Sequence, residues 1–517
     1  MVGVRFEQIN ESFIRIVTAD FGIDQEISEF FCFMADGYKF SPKFRAGVWD
    51  GKIRIFDIRN KKLPKGLLKV AVKFCKDRNY TFSIDPLLNP KTSIDEQILT
   101  EWIDNIQLSS KGKEIQLRDY QVSAIQQMMR YYRNLCISPT SSGKSAMLYY
   151  KIRYHVDVLD HNVVVVVPTT QLVEQLFKDF IDYSELNKWD AVGNCQLLYS
   201  GKEKTFNKKV MISTWQSLAA MAKFQPEMFH DIIEVTDCLC LDEVHQFASK
   251  VTLETANKFI NAKWRTGTTG TLDDSKINKL QLIGLMSEPY QVITTRELMD
   301  EKSVVDLKIK VCKIEYPEWW KKQFSGMAYR EEINYLVTYL PRNKFIAELA
   351  SNTKGCTIVL YTYIEKHGVI LDQLIRTMNP DREVRFVHGG VDIEAREEVR
   401  TIAESGKSVI IIASSAIFST GVNIPAIENV IFAMPTKSTV RVRQSIGRGL
   451  RLLKGKSHCT LFDIADDMSY KSYTNTTLRH MFSRIEVYEK EQFEFDVVKI
   501  NLSRFMDEEI PGLEFAD

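Results

Sequence analysis

Apolar and polar residues alternate along this chain in blocks that predict strands followed by helices. Runs of apolar residues without a polar break, such as Val163–Val167, are typical of strands covered on both faces of a parallel sheet. Residues 113–300 and residues 301–468 each contain several such strands, with helical periodicity between them. This alternation predicts an α/β fold with two tandem parallel-sheet lobes. The predicted strands are 135–137, 163–167, 210–213, 238–241 and 264–267 in the first lobe, and 357–360, 384–387, 409–413, 429–433 and 458–462 in the second.

The first 90 residues have shorter and more mixed signals, which predict a small α+β domain. Strands are expected at 13–17 and 80–84, and helices at 24–33 and 67–78. Asp50-Gly51 precedes an alternating stretch, which favours a tight hairpin turn. Residues 91–112 are expected to form a linker with a short helix at 94–106, and residues 469–517 a closing helix at 470–492 and an acidic tail. We expect the last ~20 residues to be poorly anchored.

Composition places the chain among soluble globular proteins. Of its 517 residues, 44% are hydrophobic and 26% are charged, and no apolar run approaches the ~18 residues that a membrane span needs. The first ten residues carry charges and lack the apolar segment of a secretory signal, so we expect a cytoplasmic protein. Nine cysteines without paired spacing predict neither a metal cluster nor a disulfide. Cys238 and Cys240 are interpreted as part of a buried strand face.

The net charge of +1 hides an uneven distribution of charged residues. Residues 36–78 contain thirteen lysines and arginines against four aspartates, whereas residues 486–517 contain ten acids against three bases. In the basic stretch the charges alternate with aromatic residues, a mixture that suits a surface that follows a nucleic-acid backbone and stacks on bases. The alternative is a solvated basic face over a core that holds the aromatic residues. The predicted DNA contacts are Lys39, Lys43, Arg45, Lys52 and Arg54, next to Tyr38, Phe40, Phe44 and Trp49.

Residues 138–145 have the pattern of a phosphate-binding loop. The loop follows a predicted strand and precedes a predicted helix at 146–155, so its backbone N–H groups lie at a helix N-terminus, where an anion binds. Lys144 is expected to reach the β and γ phosphates, and Ser145 to bind Mg²⁺. Ser138 stands where the usual pattern has glycine, which leaves open an ordinary polar turn before a helix. Backbone contacts to ATP are predicted at Pro139, Thr140, Ser141, Ser142 and Gly143.

A pair of carboxylates, Asp242 and Glu243, follows the predicted strand 238–241. Both therefore emerge at the carboxyl edge of the sheet, on the side of the phosphate loop. We expect Asp242 to hold Mg²⁺ through its water shell, and Glu243 to orient and deprotonate the attacking water. An acidic pair after a strand is commonly structural, but its position about 100 residues after a phosphate loop favours ATP hydrolysis.

With these motifs in order, the chain resembles the superfamily 2 helicases, whose two RecA-like lobes close on ATP. The matching segments are 117–121, 168–170, 214–216, 269–271, 361–363, 388–390, 419–423 and 444–451. The resemblance implies an adenine contact at Gln121 and a second-lobe contact to ATP at Gly421. It also implies residues that couple hydrolysis to lobe movement and residues that hold the nucleic-acid backbone. The coupling residues are His245, Thr269, Thr271 and Gln444, and the backbone contacts are Thr169, Thr214, Gln216 and Thr362.

Segment 444–451 has the pattern Q-x-x-G-R-x-x-R, a highly specific part of this resemblance. Negative charge spreads over the γ-phosphoryl oxygens during transfer, and an arginine placed there can be worth ~10³-fold or more in rate. Arg448 and Arg451 are the candidates, and a spacing of three on a helix would place them on one face. They complete a predicted catalytic set with Lys144, Asp242 and Glu243.

The basic N-terminal domain carries a narrower resemblance. Segments 35–45 and 48–54 resemble the N-terminal domain of the UvsW-type helicases of tailed bacteriophages, and the likeness extends to about residue 468. That family remodels branched DNA by branch migration, fork reversal and R-loop unwinding during recombination, replication and repair. The resemblance implies ATP and Mg²⁺ as cofactors, and a monomer in the host cytoplasm that acts on branched, duplex or single-stranded DNA and on RNA–DNA hybrids.

Two alternatives remain open from the residues themselves. One is an ATP-driven duplex translocase that does not separate strands. The other is a non-catalytic DNA-binding or strand-annealing protein in which nucleotide only switches conformation. A metabolic kinase is disfavoured because it has no use for a second lobe.

Overall fold

The computed structural model describes residues 3–201, 206–272, 275–388, 401–402, 408–414, 424, 426–434, 439–453 and 456–506. The chain divides into two compact units. The first contains Met1–Ser138 and Ser142–Ile293, and the second contains Thr294–Asp517 with the short piece Pro139–Ser141. Among the described residues, no helix is both long enough and apolar enough to cross a membrane. The same residues contain no group of three or more His, Cys, Asp or Glu side chains arranged to hold a metal ion.

The N-terminal part of the first unit, which we call the head, is built on a small mixed sheet. Its strands lie in the order β5 (Lys62–Pro64), β2 (Phe13–Thr18), β1 (Val4–Gln8) and β6 (Phe82–Ile84). Strand β2 is antiparallel to both β5 and β1, and β6 is parallel to β1. A separate ribbon pairs β3 with β4. The elements are β1 Val4–Gln8, β2 Phe13–Thr18, α1 Phe21–Phe30, β3 Cys32–Met34, α2 Pro42–Arg45, β4 Lys52–Arg54, β5 Lys62–Pro64, α3 Leu68–Asp77 and β6 Phe82–Ile84.

Two expectations for the head need correction. The helix expected at 24–33 is Phe21–Phe30, because the Asp20 carboxylate accepts the Gly22 N–H and starts the helix earlier. The Asp50-Gly51 pair does not close a tight hairpin. Instead, β4 pairs with β3, and residues 35–51 form a long loop that includes the short helix α2. The Ala35 N–H closes this loop by donating to the Gly51 carbonyl at 2.8 Å.

The helix expected within 94–106 is confirmed as α4 Glu96–Asp104, and a two-stranded ribbon follows it, β7 Leu108–Ser110 and β8 Lys113–Ile115. The Asp95 carboxylate caps α4 by accepting the backbone N–H groups of Gln97 and Ile98. Leu99 and Ile103 are buried in the core of the first lobe, so this helix packs on that lobe.

The first lobe is a seven-stranded parallel sheet with helices between its strands, in the order β11-β12-β10-β13-β14-β9-β15. All five strands predicted for it are confirmed, and two edge strands, β11 and β15, were not predicted. The elements are α5 Asp119–Arg130, β9 Arg133–Ile137, α6 Lys144–Asp157, β10 Val163–Val167, α7 Thr170–Ser184, α8 Ala191–Asn194, β11 Cys195–Leu198, β12 Val210–Thr214, α9 Trp215–Phe224, α10 Pro226–Val235, β13 Cys238–Asp242, α11 Lys250–Asn257, β14 Trp264–Thr269, α12 Lys276–Leu285 and β15 Pro289–Gln291.

The second lobe is also a seven-stranded parallel sheet, in the order β18-β19-β17-β20-β21-β16-β22. Its five predicted strands are confirmed, and β16 and β22 were not predicted. The described elements are α13 Thr295–Asp300, β16 Asp306–Glu315, α14 Glu318–Gln323, α15 Tyr329–Thr338, α16 Leu340–Asn352, β17 Cys356–Tyr361, α17 Val369–Met378, β18 Glu383–Val387, β19 Val409–Ser414, β20 Ile427–Phe432, α18 Thr439–Gly449, β21 His458–Asp467, α19 Thr476–Lys490 and β22 Phe495–Asn501.

The expectation of a poorly anchored C-terminal stretch is wrong for residues 498–506. Strand β22 pairs in parallel with β16, with Ile500 opposite Ile314, and Leu502 and Phe505 are buried behind it. Residues 507–517 lie outside the described part of the chain. The second lobe therefore extends well beyond the strand that was expected to end it.

Helix α19 is fixed to the second-lobe sheet by a buried ion pair. Arg484, which is 1% exposed, binds the Asp463 carboxylate at 2.8 Å through Nη2 and 2.9 Å through Nε. The Tyr488 hydroxyl donates to the same carboxylate at 2.9 Å. Because each partner of this pair would be a buried lone charge without the other, the helix and the sheet depend on one another.

Candidate nucleotide and nucleic-acid sites

The phosphate loop lies between the end of β9 and the start of α6, as the sequence predicts. Gly143 directly precedes α6 with a left-handed backbone, φ +82°. A side-chain Cβ there would lie 2.2 Å from Nε2 of Gln121, whose amide donates to the Ser142 carbonyl at 2.9 Å. Glycine is therefore required both by the backbone conformation and by the close approach of Gln121.

Ser138, which stands where the usual phosphate-loop pattern has glycine, has a structural role in the loop. Its side chain is fully buried, and its hydroxyl donates to the Ser142 hydroxyl at 2.5 Å, which ties the two ends of the loop. Its backbone N–H donates to the Thr269 carbonyl at 2.8 Å, and its own carbonyl accepts the Lys144 ammonium at 3.0 Å. The loop is thus closed by side-chain hydrogen bonds within it.

Ser145, the expected Mg²⁺ ligand, is the second residue of α6. Its hydroxyl lies 2.8 Å from the hydroxyl of Tyr183, which belongs to α7. Burial raises the pKa of Tyr183, with Asp179 adding to the effect, so this phenol stays protonated at neutral pH. Tyr183 can therefore serve as the donor that orients the Ser145 oxygen.

The carboxylates of the site stand at the end of β13, next to β14. Asp242 lies opposite Thr268 in the sheet, and its Oδ1 accepts the Thr268 hydroxyl at 2.7 Å and the Glu243 N–H at 2.9 Å. Burial and the neighbouring Glu243 raise the pKa of Asp242, and the positive charge of Lys144 opposes that rise. Lys144 therefore acts electrostatically on the carboxylate that ends β13.

Three of the four residues expected to couple hydrolysis to movement, His245, Thr269 and Thr271, form a connected group in this unit. Nδ1 of His245 lies 2.8 Å from the Thr269 hydroxyl and 3.4 Å from Oε2 of Glu243. The Thr269 hydroxyl also donates to the Thr271 carbonyl at 2.8 Å. Thr269 is therefore linked to Glu243 through His245, and its own carbonyl binds Ser138 of the phosphate loop.

Two of the expected nucleic-acid residues begin helices at the same edge of the first-lobe sheet. The Thr169 hydroxyl caps α7 by accepting the Leu172 N–H, and the Thr214 hydroxyl caps α9 by accepting the Ser217 N–H. The strands that precede them are neighbours, with Val167 opposite Thr214. Gln216 donates to the Pro168 carbonyl at 3.2 Å, so the structure brings Thr169, Thr214 and Gln216 to one edge.

In the head, all five basic residues expected to contact DNA are exposed. Phe40, in the same loop, is 77% exposed and thus available for stacking, whereas Tyr38 and Phe44 pack edge to face on each other. Arg54 is paired with Asp50 at 2.5 Å, which lowers the pKa of Asp50 to about 2. The remaining basic residues of the group are Lys39, Lys43, Arg45 and Lys52.

The second-lobe candidates are described in part. Thr362 is exposed directly after β17, and Arg448 lies in α18. Arg451 lies beyond α18, which ends at Gly449, so the expectation that both arginines share one helix face is wrong. Gly421, segments 389–390 and 419–423 and the side chain of Gln444 lie outside the described residues.

Sequence reasoning missed three residues that contact the candidate nucleotide site. Tyr120 donates its hydroxyl to the Ser142 carbonyl at 3.0 Å, Thr268 binds Asp242, and Tyr183 contacts Ser145. Thr268 could have been found, because it stands beside the motif residue Thr269 at the end of a predicted strand. Tyr183 lies 38 residues from Ser145 near the end of a long helix, and no local pattern marks it.

Comparison with known proteins decides the family. The model of the N-terminal domain of DNA helicase UvsW matches residues 2–85, that of the res subunit of type III restriction enzymes matches residues 114–274, and that of the helicase conserved C-terminal domain matches residues 341–452. The ATP-dependent DNA helicase uvsW of Enterobacteria phage T4 is 32% identical over 494 residues, which make up 92% of this chain and 95% of the T4 protein. The chain belongs to the UvsW family of superfamily 2 helicases.

Solved structures agree with this assignment. The crystal structure of T4 UvsW matches with a TM-score of 0.51 and 29% identity, covering 96% of this chain and 99% of the T4 chain. A fragment of a putative HsdR subunit of a type I restriction enzyme from Vibrio vulnificus matches with a TM-score of 0.55 and 16% identity, over 87% of this chain and 78% of that one. This second likeness shows the fold alone. The predicted RecA-like lobes and α+β head are thereby confirmed for this UvsW-family chain.

Proposed function

We propose that this UvsW-family protein is an ATP-dependent DNA helicase that remodels branched DNA in phage recombination, replication and repair. The observation that carries the proposal is the connection between the closed phosphate loop and the Asp242–Glu243 pair. Thr269 accepts the Ser138 N–H through its carbonyl and lies 2.8 Å from Nδ1 of His245 through its hydroxyl, and His245 lies 3.4 Å from Oε2 of Glu243. The unit that holds this site also carries the exposed basic head. The Asp242–Glu243 pair next to that loop favours a catalytic protein over a non-catalytic DNA-binding protein.

The donor set fits Mg²⁺ and a nucleotide triphosphate. Hard oxygen ligands are available in the Ser145 hydroxyl and the Asp242 carboxylate, which would hold Mg²⁺ so that it neutralises charge on the phosphates. Lys144 adds a cation, and the backbone of residues 139–143 adds N–H donors at the N-terminus of the 14-residue helix α6. Glu243 is the candidate base for the attacking water.

Gln121 is suited to read adenine although both ends of its amide are already in use. Its Oε1 accepts the Arg118 N–H at 2.9 Å and its Nε2 donates to the Ser142 carbonyl. A primary amide has two N–H donors and two acceptor lone pairs, so one of each remains. That pair complements the N6 donor and N7 acceptor of adenine.

Several further assignments rest on the family resemblance. Arg448 and Arg451 stabilise charge on the γ-phosphoryl group, and Gly421 and Gln444 belong to the second-lobe motifs. Domain boundaries are proposed at 1–90, 91–112, 113–300, 301–468 and 469–517, with α19 and β22 of the last segment packed on the second lobe. The protein acts as a monomer in the host cytoplasm, and its substrates include forks, junctions and RNA–DNA hybrids.

The test compares the wild type with Lys144→Ala and Glu243→Gln on a panel of branched substrates. We expect ATP hydrolysis that DNA stimulates in the wild type, strand displacement on forks and R-loops, and loss of both in the two variants. Hydrolysis without a displaced strand would favour a duplex translocase. Equal and negligible hydrolysis in all three proteins would refute a motor.

A further inference from the structure

Helix α12 begins a few residues after the coupling residue Thr271, and its first residues contact the head. The Ser275 hydroxyl donates to Oδ2 of Asp36 at 2.6 Å. The ammonium of Lys276 lies 5.0 Å from the centroid of the Phe33 ring, a cation–π distance. Asp36 thus places a negative charge at the N-terminus of a ten-residue helix, where an anion is favoured.

The opposite end of α12 is also held by the head. A Cβ on Gly66 would lie 2.0 Å from the Ile283 carbonyl oxygen, and a Cβ on Gly284 would lie 2.9 Å from Cβ of Pro64. The two backbones therefore meet with no room for a side chain. The Arg133 guanidinium joins the two parts, since it donates to the Leu285 carbonyl at 2.7 Å and to the Glu11 carbonyl at 2.5 Å.

The segment that leads into α12 is tied to the nucleotide site. Thr268 binds Asp242, and Thr269 contacts His245 while its carbonyl accepts the Ser138 N–H. These two threonines end β14, and the chain passes from there through Thr271 to Ser275. A change at the phosphate loop or at the carboxylate pair therefore acts on the segment that starts α12.

Asp36 belongs to the head loop 35–51 that carries three of the exposed basic residues. The β3–β4 ribbon closes the base of this loop, and Ser275 holds Asp36 from the lobe side. Ser275 stands at the N-cap position of α12, yet its side chain makes no capping hydrogen bond to the described residues of that helix. A serine at this position commonly caps its own helix, whereas this hydroxyl donates to the head.

We propose that α12 couples the nucleotide state of the first lobe to the DNA-binding loop of the head, with Asp36 and Ser275 as positioning residues. This proposal rests on the proposed helicase function. Nucleotide binding shifts Thr269 and Thr271, and the change reaches Ser275 at the start of α12 while the far end of α12 stays fixed on the head. The loop 35–51 then changes its affinity for the DNA backbone through Asp36. Coupling between two ligands is reciprocal, so DNA bound at the head must change nucleotide affinity by the same factor.

The experiment measures branched-DNA affinity with and without a non-hydrolysable ATP analogue, for the wild type, Ser275→Ala, Asp36→Ala and the double variant. We expect the wild type to show a nucleotide-dependent change of about fivefold or more, within the usual range of such couplings. Each single variant should reduce that change to about twofold or less, and the double variant should resemble the singles because both remove the same hydrogen bond. Basal ATP hydrolysis and the melting temperature should stay near wild type.

Ser249→Ala is the matched control. Ser249 is the N-cap residue of α11 in the same lobe, and its hydroxyl accepts the Thr252 N–H of that helix. Ser249→Ala therefore removes a serine hydroxyl from a helix start without removing a hydrogen bond to the head. This variant should keep the full nucleotide-dependent change in DNA affinity. The reciprocal measurement, the change in nucleotide affinity on adding DNA, should give the same ranking of variants.

The outcomes separate this proposal from the helicase function on which it rests. If the wild type neither hydrolyses ATP nor responds to DNA, the proposed function is refuted and the coupling with it. If the wild type shows DNA-stimulated hydrolysis and a nucleotide-dependent DNA affinity, and the variants keep the full change, the coupling through Asp36 and Ser275 is refuted while the helicase function stands.

Discussion

Replacing Gly143 by alanine should disable the nucleotide site without unfolding the lobe. Alanine at φ +82° costs about 1–2 kcal/mol, because the left-handed region is unfavourable for a residue with a Cβ. The new Cβ would lie 2.2 Å from Nε2 of Gln121, so the amide must move and lose its hydrogen bond to Ser142, worth about 1 kcal/mol net. The sum is about 2–3 kcal/mol, equivalent to about 30- to 150-fold in nucleotide affinity if it falls on the bound conformation.

The assay is the dissociation constant of a fluorescent ATP analogue together with the KM for ATP. Gly201→Ala provides a matched control, since Gly201 has φ +90° in the same lobe but its Cβ would meet no described atom within 4 Å. That variant bears the backbone cost alone and should bind nucleotide like the wild type. A Gly143→Ala affinity within threefold of wild type would refute the argument that Gln121 and the loop backbone require glycine.

Three further predictions follow from buried or exposed charges. Arg484→Met should lower the free energy of unfolding of the second lobe, measured by urea denaturation, by about 3–5 kcal/mol, because the Asp463 carboxylate is left buried without its cation. Adding Asp463→Asn should recover part of this loss, whereas a loss under about 1 kcal/mol in Arg484→Met would contradict the role of the pair. Burial lowers the pKa of His155 to about 4, so the unfolded state binds a proton on this side chain more readily, and the free energy of unfolding should fall as the pH drops from about 6.5 to about 4. In His155→Gln this fall should be smaller by about 3 kcal/mol over the same pH range, and a fall equal to that of the wild type would contradict the prediction. Neutralising Lys39, Lys43, Arg45 and Lys52 should weaken branched-DNA binding more than basal ATP hydrolysis, and it should reduce the slope of log affinity against log salt by about 0.9 for each phosphate that is no longer neutralised. Arg54→Gln alone should have the smallest effect, because Arg54 is paired with Asp50. If the affinity equals that of the wild type at low and at moderate salt, the basic patch is only a solvated face.

Central strands could be predicted from the sequence because a short, continuous apolar run suits a strand that helices cover on both faces. All five residues of β10 are buried, and the run Val163–Val167 shows this directly. The missed strands are of a different kind. Strand β22 is mostly exposed, so its residues do not show the apolar signature of a covered strand. Strand β16 does alternate between exposed and buried positions at its start, and this period-2 signal could have identified it.

The candidate nucleotide site can be assembled from sequence where its residues are neighbours in the chain, but not where their positions depend on packing. Lys144, Ser145, Asp242 and Glu243 are found from motifs next to strands. The Ser138 hydroxyl closes the loop by donating to the Ser142 hydroxyl, only four residues away. The usual phosphate-loop pattern has glycine at position 138 and therefore does not predict this hydrogen bond. Arg451 shows the opposite error, since its spacing from Arg448 suggested a shared helix face and the helix ends at Gly449.

The two edges of the first-lobe sheet serve different purposes, which explains why the head can respond to nucleotide without touching it. The carboxyl ends of the strands carry the phosphate loop and the carboxylates. At the amino ends, Arg133 and Arg265 stand opposite each other on neighbouring strands, and both guanidinium groups reach the head. Arg265, fully buried, donates to the Ser12 hydroxyl at 2.6 Å, and Arg133 donates to the Glu11 carbonyl.

Arg265 is fully buried and Arg133 is half-buried. Two such cations side by side are unfavourable unless their donors are satisfied, and here the turn between β1 and β2 satisfies part of them. Displacing the head would therefore leave buried donors without partners, so a rigid attachment is favoured at this edge. The loop 35–51 takes no part in these contacts at the amino edge. The hydrogen bond from Ser275 to Asp36 connects that loop to the start of α12, and it is therefore a contact through which we expect a change at the nucleotide site to reach the DNA-binding residues.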